Sequence, residues 1–132
     1  MITPAVLSRC LLDRNSDKLF ISVITIAEIE AGIAKLKDNG SLKKAQRLYE
    51  WLETLLHLYQ HRVLPLDIQL ARELGRMTQA VRQAGRMPEM ADLSIAATAI
   101  VRGYVMLTRN LRYFQGTGVT ALDPFESLPT QG

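Results

Sequence analysis

The chain has 132 residues and a formal net charge of +3, with 48% hydrophobic and 22% charged residues. That is the balance of a single globular domain, residues 1–132, and it argues against disordered and fibrous classes. The lone Cys10 cannot close an intramolecular disulfide, no apolar run approaches the roughly 20 residues that span a bilayer, and Arg9 arrives too early for a signal peptide. The cytoplasm is the expected compartment.

Taken in chain order, the loop Asp13–Asp17 leads to a short buried strand, Leu19–Val23. A helix follows at once, because Thr25-Ile26-Ala27-Glu28 has the pattern of a capping box. Ile26, Ile29, Ile33 and Leu36 keep one apolar face, and Asp38-Asn39-Gly40 stops the helix. A second helix carries Leu48, Trp51, Leu52, Leu55 and Tyr59, which predicts a helical hairpin. Val63–Leu66 is a strand whose Pro65 favours an edge or an end. Asp67 can cap the next helix, with a core face of Ala71, Leu74, Thr78 and Val81 and an end at Gly85. The helix opened by Asp92 is apolar nearly all round through Val101 and should be deeply buried, with Gly103 ending it. Strands Tyr104–Leu107 and Val119–Leu122 complete the chain, the first breaking at Thr108-Arg109-Asn110 and the second at Asp123-Pro124. Alternating strands and helices predict an α/β sandwich around a mostly parallel sheet.

Sites in such sheets form beyond the carboxyl ends of the strands. Glu28, Asp92, Thr108 and Asn110 would gather there. Two carboxylates about 5 Å apart repel by roughly 3 kcal/mol at an effective dielectric near 20. A hard divalent cation, Mg²⁺ or Mn²⁺, removes that penalty and can activate a water against a phosphodiester. Each residue also has an ordinary reading: Glu28 closes the capping box, Asp92 complements a helix dipole, and Asn110 is a turn residue. His57 and His61 stand at i, i+4, but no nearby Cys or carboxylate completes a zinc site.

Between His61 and Gln115 every cation is an arginine. The planar guanidinium suits phosphate and carboxylate, so an RNA backbone or an acidic peptide is a plausible partner, against the simpler reading of solvated helix faces.

Several segments resemble PIN-domain toxins of the VapC/FitB type: Phe20–Ile29, Arg62–Asp67, Gly85–Ala99, Met106–Phe114 and Gly118–Phe125. Their order and spacing agree over nearly the whole chain, and the Asp92 helix joined to the Thr-Arg-Asn turn is the most specific element. The resemblance implies a PIN-like three-layer sandwich and a Mg²⁺- or Mn²⁺-dependent endoribonuclease, the toxin of a type II toxin–antitoxin pair. Such toxins are neutralised by a small cognate antitoxin and commonly form homodimers. It implies metal binding by Glu28 and Asp92 and orientation of a ligand or water by Thr108 and Asn110, with RNA phosphate contacts from Arg86, Arg109 and Arg112. Many members carry a further acid shortly after the Thr-Arg-Asn motif, where this chain has Arg112-Tyr113.

The front of the chain departs from the family pattern, which opens with a strand ending in Leu-Asp-Thr-Asn and then a helix. Here the sequence enters near the end of that helix, around Pro4–Leu7. Leu12-Asp13-Arg14-Asn15 imitates the motif in letters but stands too close to Ser22 to leave room for the helix. The resemblance then implies that the first, central strand and its aspartate are missing, through a start upstream of Met1 or a truncated copy, with apolar surface exposed in consequence. Two rival readings follow: a catalytically inactive PIN paralogue that binds an antitoxin or dimerises without cleaving RNA, and a small nucleic-acid-binding regulator, which rests on arginine content alone.

Overall fold

The computed structural model describes residues 20–108 and 111–123. Cys10, Asp13, Arg109 and Asn110, together with the Pro4–Leu7 segment, lie outside the described residues.

The first described element, β1 (Ile21–Ser22), passes without a linker into α1 (Val23–Asp38). The start of this helix corrects the expected capping box. Ser22, in an extended conformation, accepts a hydrogen bond from the Ile24 N–H at 3.1 Å and is the cap, which places Thr25 and Glu28 inside the helix. The earlier start is the one that buries more: Ile21 seals the strand, and Thr25, Ile29 and Ile33 then fall on one buried stripe. Helix α1 ends at Asn39, and the following Gly40 takes the left-handed conformation that the reversal requires.

Helix α2 (Leu42–Tyr59) folds back on α1 as the expected hairpin, burying Ala45, Leu52 and Leu55 while Leu48, Trp51 and Tyr59 pack at its margin. A 3-10 turn leads to β2 (Val63–Leu64), and Pro65 limits the strand as expected of a residue with no N–H to donate. Asp67 caps α3 (Ile68–Gln83) by accepting from the Leu70 N–H at 2.9 Å. The buried face of α3 is Leu70, Leu74, Met77, Thr78 and Val81, and the expected Ala71 is exposed. The helix has rotated to bury Leu70 and Met77, whose larger apolar areas outweigh a single methyl.

Helix α4 (Met90–Arg102) is the centre of the molecule. Every residue from Asp92 to Ala99 is buried, with α3 packed along one side and α1 on another. Its alanines permit that close approach, and Gly103, in the left-handed conformation, closes it. Strand β3 (Met106–Leu107), a 3-10 turn (Leu111–Phe114) and β4 (Ala121–Leu122) follow.

The strands pair in parallel, β1 with β2 and β3 with β4, so the α/β class with a parallel sheet holds. The ladders are shorter than the apolar runs. Among the described residues β1 and β3 each have a strand on one side only, and the sheet stands as two pairs. Phe20, just before β1, stacks on Tyr104, just before β3, with ring centroids 4.8 Å apart. This stack sets the two pairs side by side at their amino ends. Among the described residues Phe20, Val23, Tyr104 and Val105 are each more than a third exposed.

Candidate active site

Helices α1 and α4 carry the two expected acids to one place. Glu28 stands in the second turn of α1, half-buried, and its Oε1 is buried with no hydrogen-bond partner among the described residues. Asp92 stands in the first turn of α4 and is 2% exposed. Burial, and then the negative charge of Asp92, push the Glu28 carboxyl above its usual range. Two acids distant in sequence thus come close enough for the charge of Asp92 to oppose the ionisation of Glu28.

A third carboxyl, from a residue that sequence reasoning passed over, lies beside Asp92. Glu89 is the residue before α4, one turn ahead of Asp92. A hydrogen bond shared with the Asp92 side chain raises the Glu89 pKa, with burial and the Asp92 charge adding to the effect. The sequence signal was present in the i, i+3 spacing of Glu89 and Asp92 at a helix start, where side chains share a face.

The loop before Glu89 is fixed from the other end of the chain. The Tyr113 hydroxyl accepts from the Glu89 N–H at 2.6 Å and donates to the Met87 carbonyl at 3.1 Å. Burial pushes the Tyr113 phenol upward. Arg86, expected to face phosphate, has a different occupation. Its guanidinium donates to the Tyr113 carbonyl and, at 2.8 Å, to the Gln115 carbonyl, while lying over the Tyr113 ring. Both terminal nitrogens are thereby drawn into holding the 86–89 loop against the 113–115 segment. Arg112 is exposed on the 3-10 turn.

Thr108 leaves the carboxyl end of β3 completely buried, its N–H donating to the Leu122 carbonyl at 2.9 Å. The residue that follows the neighbouring strand, Asp123, is also buried, so a carboxylate stands at this end of the parallel pair. The sequence marked Asp123 only as a strand stop. An open groove of about 370 Å³ lined by Ile68, Gln69, Arg72 and Arg76 lies on α3 and contains none of these acids.

Among the described residues no three His, Cys, Asp or Glu side chains are arranged to grip a metal ion unaided. The Glu28–Asp92 pair nevertheless suits a hard cation: it supplies oxygen donors, a buried carboxylate oxygen lacking a partner, and an electrostatic conflict that a divalent charge would relieve. Mg²⁺ in particular is commonly held by one or two carboxylates and retains several waters.

Residues 5–118 match the family model described as PIN domain. The chain belongs to the PIN-domain family. Its relatives place it with toxins of the VapC/FitB type. It is 34% identical over 84% of its length to the plasmid stability protein StbB of Pseudomonas syringae pv. tomato, covering 78% of that protein. It is 33% identical to the toxin FitB of Neisseria gonorrhoeae, over 83% of this chain and 77% of FitB. The VapC ribonuclease Y4jK of Sinorhizobium fredii is 29% identical over the same shares, 83% and 77%. Among solved structures, the crystal structure of FitAcB from Neisseria gonorrhoeae superposes with a TM-score of 0.73 at 30% identity, covering 92% of this chain and 94% of that one. FitAB bound to an IR36 DNA fragment gives 0.71 at 27% identity, over 97% and 96%. No helix among the described residues is long and apolar enough to cross a membrane.

Proposed function

We propose that the chain is a divalent-metal-dependent endoribonuclease acting as the toxin of a toxin–antitoxin pair, with a small antitoxin as its protein partner. The observation that carries this reading is the Glu28–Asp92 pair, two acids from separate helices held together with a buried Glu28 oxygen left without a partner. The relatives named ribonuclease and toxin, and the solved FitAB assembly, support it.

In this reading Glu28 and Asp92 hold Mg²⁺ or Mn²⁺, which supplies Lewis-acid polarisation of a phosphodiester and a lowered pKa for an attacking water. Burial of Asp92 excludes bulk solvent from one side of the pair, which strengthens its attraction for a cation. Glu89, hydrogen-bonded to Asp92, sets that carboxylate's orientation. Thr108 and Asn110 orient a ligand or water at the end of β3. Arg109 and Arg112 contact phosphate, and Arg86 holds the Glu89 loop in place of the phosphate role expected of it.

The test is cleavage of a labelled RNA in Mn²⁺ and in EDTA by the chain and by Asp92→Asn. The reading expects Mn²⁺-dependent cleavage reduced at least about 100-fold by the substitution; equal cleavage by both proteins ends the site assignment. Antitoxin binding without cleavage would instead establish an inactive, antitoxin-binding paralogue.

A further inference from the structure

Five Ser or Thr side chains lie within the four α-helices, and four of them behave alike. Thr54, Thr78, Ser94 and Thr98 each turn the hydroxyl back onto the carbonyl four residues earlier, at 3.0, 2.7, 2.6 and 2.9 Å. This is the ordinary way a helix satisfies a hydroxyl. Thr25 is the exception. It is 0% exposed, and its Oγ1 has no hydrogen-bond partner among the described residues.

The helix start explains why the usual solution fails. With Ser22 as the cap, Thr25 is in the first turn of α1, and four residues earlier stands Ile21, a strand residue. No helical carbonyl waits there. A buried hydroxyl without a partner is costly, a penalty that a valine of the same shape would avoid. One turn further along the same face, Glu28 presents the other unpartnered buried oxygen of α1. The two groups are neighbours by helical geometry, at i and i+3.

We propose that Thr25 is a positioning residue of the metal site, its hydroxyl holding Glu28 through a shared water in the orientation that serves a divalent cation. The inference rests on the metal-dependent reading above and assigns a role to a residue outside the acid pair. A hydroxyl donates to one acceptor and accepts from another, so a single water can satisfy Thr25 Oγ1 and Glu28 Oε1 together. Groups that act on a metal ligand from behind in this way typically change metal affinity by 10–100-fold when removed.

The experiment measures Mn²⁺ affinity by calorimetry and thermal stability of the metal-free protein for the full chain, Thr25→Val, Thr25→Ser and Glu28→Gln. Thr25→Val is expected to bind Mn²⁺ roughly ten-fold more weakly, while the Tm of the metal-free protein stays within about 2 °C of the parent's, because a water-bridged hydroxyl contributes little to the fold. Thr25→Ser should bind as the parent does. A hydroxyl that merely supported the fold would lower the Tm of Thr25→Val and leave Mn²⁺ affinity unchanged; unchanged affinity, whatever the Tm, overturns the inference. Should Thr25→Val not fold, Thr25→Ser against Thr25→Ala isolates the hydroxyl, and equal Mn²⁺ affinity of those two overturns it as well. Glu28→Gln separates the two levels. Loss of Mn²⁺ binding in Glu28→Gln with none in Thr25→Val removes the Thr25 role alone, whereas unchanged binding in Glu28→Gln removes the metal reading beneath it.

Discussion

Helices α1 and α3 both follow a strand of the parallel pair β1–β2, and both begin on a side-chain cap, yet their polar groups fare differently. At α3 the polar groups are used. Asp67 caps the helix with one oxygen and lies 3.9 Å from Arg102 with the other, Glu73 holds Arg76 at 2.7 Å, and Thr78 returns to the Leu74 carbonyl. At α1 only Ser22 is used in that way, while Thr25 and Glu28 each bury an oxygen with no partner among the described residues. Folded proteins rarely leave such groups unsatisfied. The start of α3 is built to hold the fold; that of α1 is, in the proposed reading, built to hold a cation.

The contrast can be broken most forcefully by supplying the missing charge. At a concentration one hundred times its Kd, Mn²⁺ should stabilise the parent chain by about 2.7 kcal/mol, and that gain should vanish in Asp92→Asn; the check is a thermal melt with and without the ion. A melt series in pH sharpens the same point. The Glu28 pKa is raised above 4.5 in the folded state, so the native protein binds more protons than the unfolded chain between that value and the raised one. Its contribution to stability is therefore lost as pH rises through this window, and in metal-free buffer Glu28→Gln should gain on the parent progressively from acid toward neutral pH. At α3 the expected response is purely structural. Asp67→Ala should cost about 1 kcal/mol in urea denaturation through loss of the cap, with Mn²⁺ affinity unaltered. Tyr113→Phe should cost about 1 kcal/mol and free the loop that carries Glu89, visible as faster amide exchange at Glu89. Arg76→Ala, which breaks a mostly exposed ion pair, should stay within about 0.5 kcal/mol.

Much of the fold was legible because the apolar periodicities are strong. The α2 stripe, the Asp67 cap, the stop at Pro65 and the buried Asp92 helix follow from patterns spanning only a few residues. The cap of α1 was misplaced because Ser22 and Thr25 can both cap locally, and only the burial of Ile21 and Ile29 decides between them. Ala71 was misjudged for a related reason, since helical spacing alone cannot weigh Leu70 and Met77 against it. Of the proposed site, Glu28 and Asp92 could be named from sequence. The tie between Arg86 and the 113–115 segment could not, because it joins residues almost thirty positions apart. Glu89 and Asp123 gave visible but ambiguous signals, each having an adequate local explanation as a helix-start or strand-end residue.

The central claim is that Glu28 and Asp92 act on one cation together. A calorimetric double-mutant cycle measures it directly, with Mn²⁺ titrated into the parent chain, Glu28→Gln, Asp92→Asn and the double variant. The account predicts that either single substitution weakens binding about as severely as both combined. Binding at parental strength in either single variant, or two losses that simply add, would contradict it.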